Sequence, residues 1–98
     1  MEIKTTRNDK ELTVALIGRL DTLTAPDLED KLDEELDGAE RLIFDLGELE
    51  YISSAGLRVL LGAYKMMDEM GGMLIRNVTE PVMEVFEVTG FSDVLDIE

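Results

Sequence analysis

The chain has 98 residues, with 23 acidic and 9 basic side chains for a formal net charge of −14 at pH 7, and it contains neither cysteine nor histidine. So acidic a protein lacks the cationic surface that DNA, RNA or an anionic bilayer requires, and the missing residue types exclude disulfides, thiolate metal sites, thiol nucleophiles and a Ser-His-Asp triad. The length and a 45% apolar share predict one domain over residues 1–98 with a single core.

Residues 3–5 and 12–17 read as two strands, joined by the turn residues Asn8-Asp9-Lys10 into a hairpin. The second turns apolar on both faces at Ala15-Leu16-Ile17, as an interior strand does. Thr24 is a good N-cap for a first helix, with Pro26 in its first turn. Ala25, Leu28, Leu32 and Leu36 make one apolar stripe, Asp27, Glu29 and Asp30 suit the positive end of the helix dipole, and Gly38 ends the element.

Leu42-Ile43-Phe44 is a short buried strand, residues 45–50 read as a loop, and Tyr51-Ile52 is briefly extended. A second helix is expected over residues 54–70, stopped by Gly71-Gly72. A strand at 73–75 follows. Thr79 caps a third helix that holds Pro81 in its first turn and ends at Gly90, and residues 94–97 read as a last short strand. The order β-β-α-β-α-β-α-β predicts an α/β fold, because each parallel return needs a crossover helix. No stretch approaches the ~20 apolar residues of a membrane span, and residues 1–10 are mixed and polar, unlike a secretory leader. The expected compartment is the cytoplasm, with no membrane or nucleic-acid partner.

Enzymatic signatures are missing. There is no P-loop and no Gly-x-Gly-x-x-Gly. Asp33-x-Glu35-x-Asp37-Gly38 imitates the start of a calcium loop, but the twelfth position, where a bidentate Glu belongs, is Phe44. Asp21 and Asp45 could share one sheet edge, yet five aromatic residues leave little from which to build a sugar cleft between them. No catalytic residue, metal or cofactor is expected.

The informative segment is Tyr51-Ile52-Ser53-Ser54-Ala55-Gly56-Leu57, which leads into the most apolar helix. Ser53 or Ser54 can act as its N-cap, and taken alone such a pair is usually no more than a cap. The small Ala55 and Gly56 would let another protein approach closely. The free N–H groups and dipole of a helix head also accept a phosphate readily. Along the helix, Leu57, Leu60, Leu61, Tyr64 and Met67 form one apolar stripe, and Val59, Ala63, Met66 and Met70 a second. Arg58, Gly62, Lys65 and Glu69 lie between them. One stripe must pack on the sheet; the other is either buried or an adaptable binding patch.

These residues resemble the STAS family, and within it the bacterial anti-sigma factor antagonists. The 51–57 segment is similar to the family's signature, and Gly18-Arg19-Leu20-Asp21 with Thr24-Ala25 to its Gly-x-Leu-Asp segment. Asp45-Leu46 with Leu49, Gly71-Gly72 before Met73-Leu74-Ile75, and Val82, Phe86 and Gly90-Phe91 follow in the family's order. The resemblance implies a mixed central sheet of four to five strands with three helices. It also implies a partner switch that is not an enzyme. The unphosphorylated antagonist would bind an anti-sigma factor and free a sigma factor. That partner would also be a serine/threonine kinase of the histidine-kinase-like ATPase type, modifying the residue two before the signature glycine, here Ser54, and a PP2C-type phosphatase would reverse the step. Docking would involve Asp21, Thr22, Ser53, Ser54, Ala55, Gly56 and Arg58. Apart from the resemblance, a monomer is the default expectation. Two positions depart from the usual pattern: Ser53 stands where many antagonists have Asp, which leaves it as a second candidate acceptor, and Ala55 where Ser or Thr is common. Few residues remain after Ile97 for the fourth helix that the family commonly carries. The alternative is a STAS-type interaction module of a sensory or lipid-transport assembly, in which Ser54 would be an ordinary cap.

Overall fold

Alternating polarity at the amino terminus folds into an antiparallel hairpin of β1 (Glu2–Asn8) and β2 (Glu11–Leu20) in a computed structural model that describes residues 1–98. Asp9 takes the left-handed conformation the turn needs, φ 59°, which a short polar side chain tolerates. The chain continues through α1 (Ala25–Glu35), β3 (Arg41–Ile52), α2 (Ser54–Asp68), β4 (Met73–Arg76) and α3 (Glu80–Thr89) to a short 3-10 turn at Phe91–Asp93. The four strands lie side by side in sequence order, β1 antiparallel and the other neighbours parallel, so α1 and α2 are the two crossovers.

One face of this mixed sheet carries the core. Leu12, Val14 and Leu16 of β2, Leu42, Phe44 and Leu46 of β3, and Met73 and Ile75 of β4 meet Leu28 and Leu32 of α1, Leu57, Leu60 and Met67 of α2, and Val82 and Phe86 of α3. Truncating any of the fully buried leucines to alanine should cost about 2–5 kcal/mol. Ile43 is buried outside this cluster, on the opposite face between its strand neighbours Thr13 and Leu74.

Three expectations are corrected. Residues 45–50 are not a loop; they belong to β3, which runs unbroken for 12 residues. Register shifts against β2 between Ala15 and Ile17 and between Gly18 and Arg19 place extra residues in β3. These bulges put Leu46, Leu49 and Ile52, three apart, all into the core, which hides the two-residue period of a regular strand. The last strand over 94–97 is also absent. Only Ile97 bridges to Ile75, because the 3-10 turn reaches Val94 and leaves too few residues for a ladder; the sheet therefore has four strands. Finally, neither Thr24 nor Thr79 caps its helix with its side chain; the Thr79 hydroxyl donates instead to the Leu49 carbonyl at 2.8 Å.

Candidate functional site

The parallel register of β2 and β3 pairs Arg19 with Tyr51 and Leu20 with Ile52, so the turns that follow leave the sheet side by side. In open α/β sheets this carboxyl edge is where ligands are commonly met. The Ser53 amide donates to the Leu20 carbonyl at 2.9 Å, tying the two turns together.

Asp21 organises the first turn. Its Oδ1 accepts the Thr24 and Leu23 amides at 3.1 and 3.0 Å, while Thr24 Oγ1 accepts the Asp21 amide at 2.9 Å. This reciprocal pair has the bonding of a capping box and closes the turn ahead of α1, where Thr24 stands at the N-cap position with its hydroxyl engaged by Asp21. The Thr24 hydroxyl proton is within reach of the Arg19 carbonyl at 2.9 Å and of Asp21 Oδ1 at 3.2 Å. Partial desolvation pushes the Asp21 carboxyl up, but the hydrogen bonds from Thr24 and Leu23 and the nearby Arg19 guanidinium outweigh it. The net effect holds Asp21 below the usual carboxylate range, and so ionised at neutral pH.

The second turn distinguishes two adjacent hydroxyls. Ser53 is extended, φ −99° and ψ 175°, and its Oγ accepts the Gly56 amide at 3.4 Å, so Ser53 is the cap of α2. Ser54 is the first residue of the helix, is exposed, and its hydroxyl makes no hydrogen bond within the chain. Of the small residues, Gly56 is buried and turned inward. A Cβ there would lie 2.7 Å from Leu20 Cγ and 3.0 Å from Ile52 Cγ1. Its smallness thus seats α2 on the strand ends and offers no surface to a partner, against the expectation. Ala55 is half-buried against the core. Thr22 is exposed beside Asp21, and Arg58 is exposed one helical turn beyond Ser54.

Three further residues belong to this surface and were not singled out as site residues from the sequence. Arg19 lies 4.4 Å over the Tyr51 ring, and Tyr51 is 38% exposed. Their pairing follows from strand register, which has no local motif. Leu23 is 85% exposed. The bond from its amide to Asp21 fixes it in the turn ahead of α1, outside the apolar stripe of that helix. A leucine between Thr22 and Thr24, off the stripe, was the available signal.

Fold and site together define a small α/β domain that presents a free hydroxyl at a helix head, on the same sheet edge as an ionised carboxylate and exposed apolar and aromatic groups. The chain matches the STAS domain over residues 2–98 and belongs to that family. It is 33% identical over 92 residues to the anti-sigma-B factor antagonist of Bacillus subtilis (strain 168), covering 93% of this chain and 84% of that protein. BtrV of Bordetella bronchiseptica is 37% identical over 99 residues, covering 99% and 85%. Among solved structures, the anti-sigma factor antagonist SpoIIAA in its unphosphorylated form gives a TM-score of 0.84 at 17% identity, covering 99% of this chain and 88% of that one. The phosphorylated form of SpoIIAA, a Bacillus cell fate determinant, gives 0.76 at 16% identity, covering 99% and 91%. No helix is long and apolar enough to cross a membrane.

Proposed function

We propose that this chain is an anti-sigma factor antagonist that docks through the α2 head while Ser54 is unmodified and releases its partner when Ser54 is phosphorylated. The observation that carries the reading is the contrast between neighbours: the Ser53 hydroxyl is engaged in the helix cap, whereas the Ser54 hydroxyl is free and exposed. The relatives described above as antagonists, and a shared fold known with and without a phosphate, support it.

The partner is an anti-sigma factor that also acts as a serine/threonine kinase of the histidine-kinase-like ATPase type, with a PP2C-type phosphatase resetting the switch. Thr22, Leu23, Tyr51 and Arg58 supply contact area around Ser54, and Asp21 supplies a fixed negative charge. A phosphate on Ser54 adds about −1.5 to −2 charges. At the first helical position it sits by the free N–H groups and the positive dipole end, so the fold accepts it. The docking surface, already negative at Asp21, changes sharply in charge and size.

The test is incubation with the cognate anti-sigma kinase and ATP, followed by tandem mass spectrometry. Ser54→Ala should abolish incorporation, and Ser53→Ala should retain it at a reduced rate because the α2 cap is lost. Phosphate on Ser53 in the unsubstituted chain would overturn the assignment.

A further inference from the structure

The second apolar stripe of α2 is neither wholly core nor wholly surface. Ala63 is buried and Val59 half-buried, but Met66 and Met70 are 58% and 54% exposed. Together with Leu32 of α1 and Leu36 in the turn after it, they line a groove of about 740 Å³ between the two helices. Its rim is one-sided in charge. Glu29, Asp33, Glu34 and Asp37 line it with Arg58 as the one cation among the lining residues, none of the four carboxylates takes part in an ion pair, and the Arg7 guanidinium at its end bonds the Glu35 and Asp37 carbonyls, not a carboxylate.

The geometry points to a docking site for a lysine- or arginine-rich amphipathic helix of a partner protein, its apolar stripe seated on Met66 and Met70 and its cationic flank facing Asp33 and Asp37. Three arguments select this occupant. The walls are helices whose backbone groups are already paired within them, so an extended segment would find no strand edge to join. The occupant must satisfy its own backbone, as a helix does. Unbranched methionines adapt to the side chains of such a helix. A second copy of this chain would set acidic rim against acidic rim on molecules of charge −14, which repels. The inference is independent of the Ser54 reading, because no part of it requires phosphorylation.

The experiment is a titration of the isotope-labelled full chain, followed by NMR, with a synthetic helical peptide about four turns long. The peptide has leucine along one face and lysine along the other. Saturable shifts should centre on Val59, Ala63, Met66 and Met70, and a peptide of the same composition in shuffled order should bind at least about tenfold more weakly. Met66→Glu with Met70→Glu should weaken binding about tenfold, since a carboxylate would be desolvated against the leucine face. Asp33→Asn with Asp37→Asn should weaken it about threefold and flatten its salt dependence. Equal binding of the shuffled peptide, shifts spread over the whole acidic surface, or indifference to the aspartate pair would overturn the proposal. So would equal binding of a version with serine in place of lysine. A dimer of the free chain abolished by the methionine substitutions would assign the groove to a second copy instead.

Discussion

Two serines adjacent in sequence carry different chemistry because one residue of helix separates them. Ser53 is the last extended residue and directs its oxygen back at the Gly56 amide, while Ser54 is the first helical residue and directs nothing inward. Asp21 shows the same economy, with one carboxylate closing a turn and remaining charged at the same sheet edge. Its folded-state pKa lies below the ordinary value of 3.8 expected in the unfolded chain, so the folded chain binds that proton less readily. The stabilisation is therefore complete above the unfolded pKa and is lost as pH falls through the folded one. Thermal unfolding across pH should show wild type above Asp21→Ala by a constant margin near neutrality, with the margin narrowing below about pH 4. A margin unchanged at pH 3 would mean that the charge contributes nothing to the turn.

At the scale of elements, close approach decides which glycines are obligatory. Gly71, in the turn between α2 and β4, packs against the backbone of Glu40, and a Cβ there would overlap the Glu40 carbonyl. Backbone cannot yield as a side chain tip does, so Gly71→Ala should cost more than about 2 kcal/mol. Gly62, exposed within α2, has nothing within 4 Å of its Cβ position, and Gly62→Ala should gain about 0.5–1 kcal/mol of helix propensity. Denaturant titration of both variants checks the pair, and the reverse ranking would refute the packing described for the α2–β4 turn. Both glycines were visible in the sequence, but only the fold shows what lies beside each. The same limit explains the misread of β3. Leu46, Leu49 and Ile52 are spaced three apart, which fits a strand only once two bulges are known. Thr24 stands at the N-cap position of α1 without a side-chain cap bond for a related reason: its hydroxyl is engaged by Asp21, a pairing that appears only in three dimensions. By contrast, the apolar stripes of α1 and α2 follow from local periodicity alone. The 51–57 segment is legible as the candidate site, whereas the placing of Arg19 and Leu23 depends on register and turn geometry.

The whole molecule carries a charge of −14 and is drawn as a body toward basic surfaces. One or two further negative charges barely alter that long-range attraction, so a switch at Ser54 must act locally, where the partner touches the α2 head. The fold offers a matched control. Asn8 is exposed at the hairpin turn, at the opposite end of β2 from Leu20, roughly 30 Å away along the strand. The decisive measurement is the affinity of the anti-sigma partner for the Ser54→Asp and Asn8→Asp variants beside the unsubstituted chain. Ser54→Asp should weaken binding by about tenfold or more, and Asn8→Asp by less than about twofold. Equal affinities for all three, or equal losses in the two variants, would contradict a local charge gate at the head of α2.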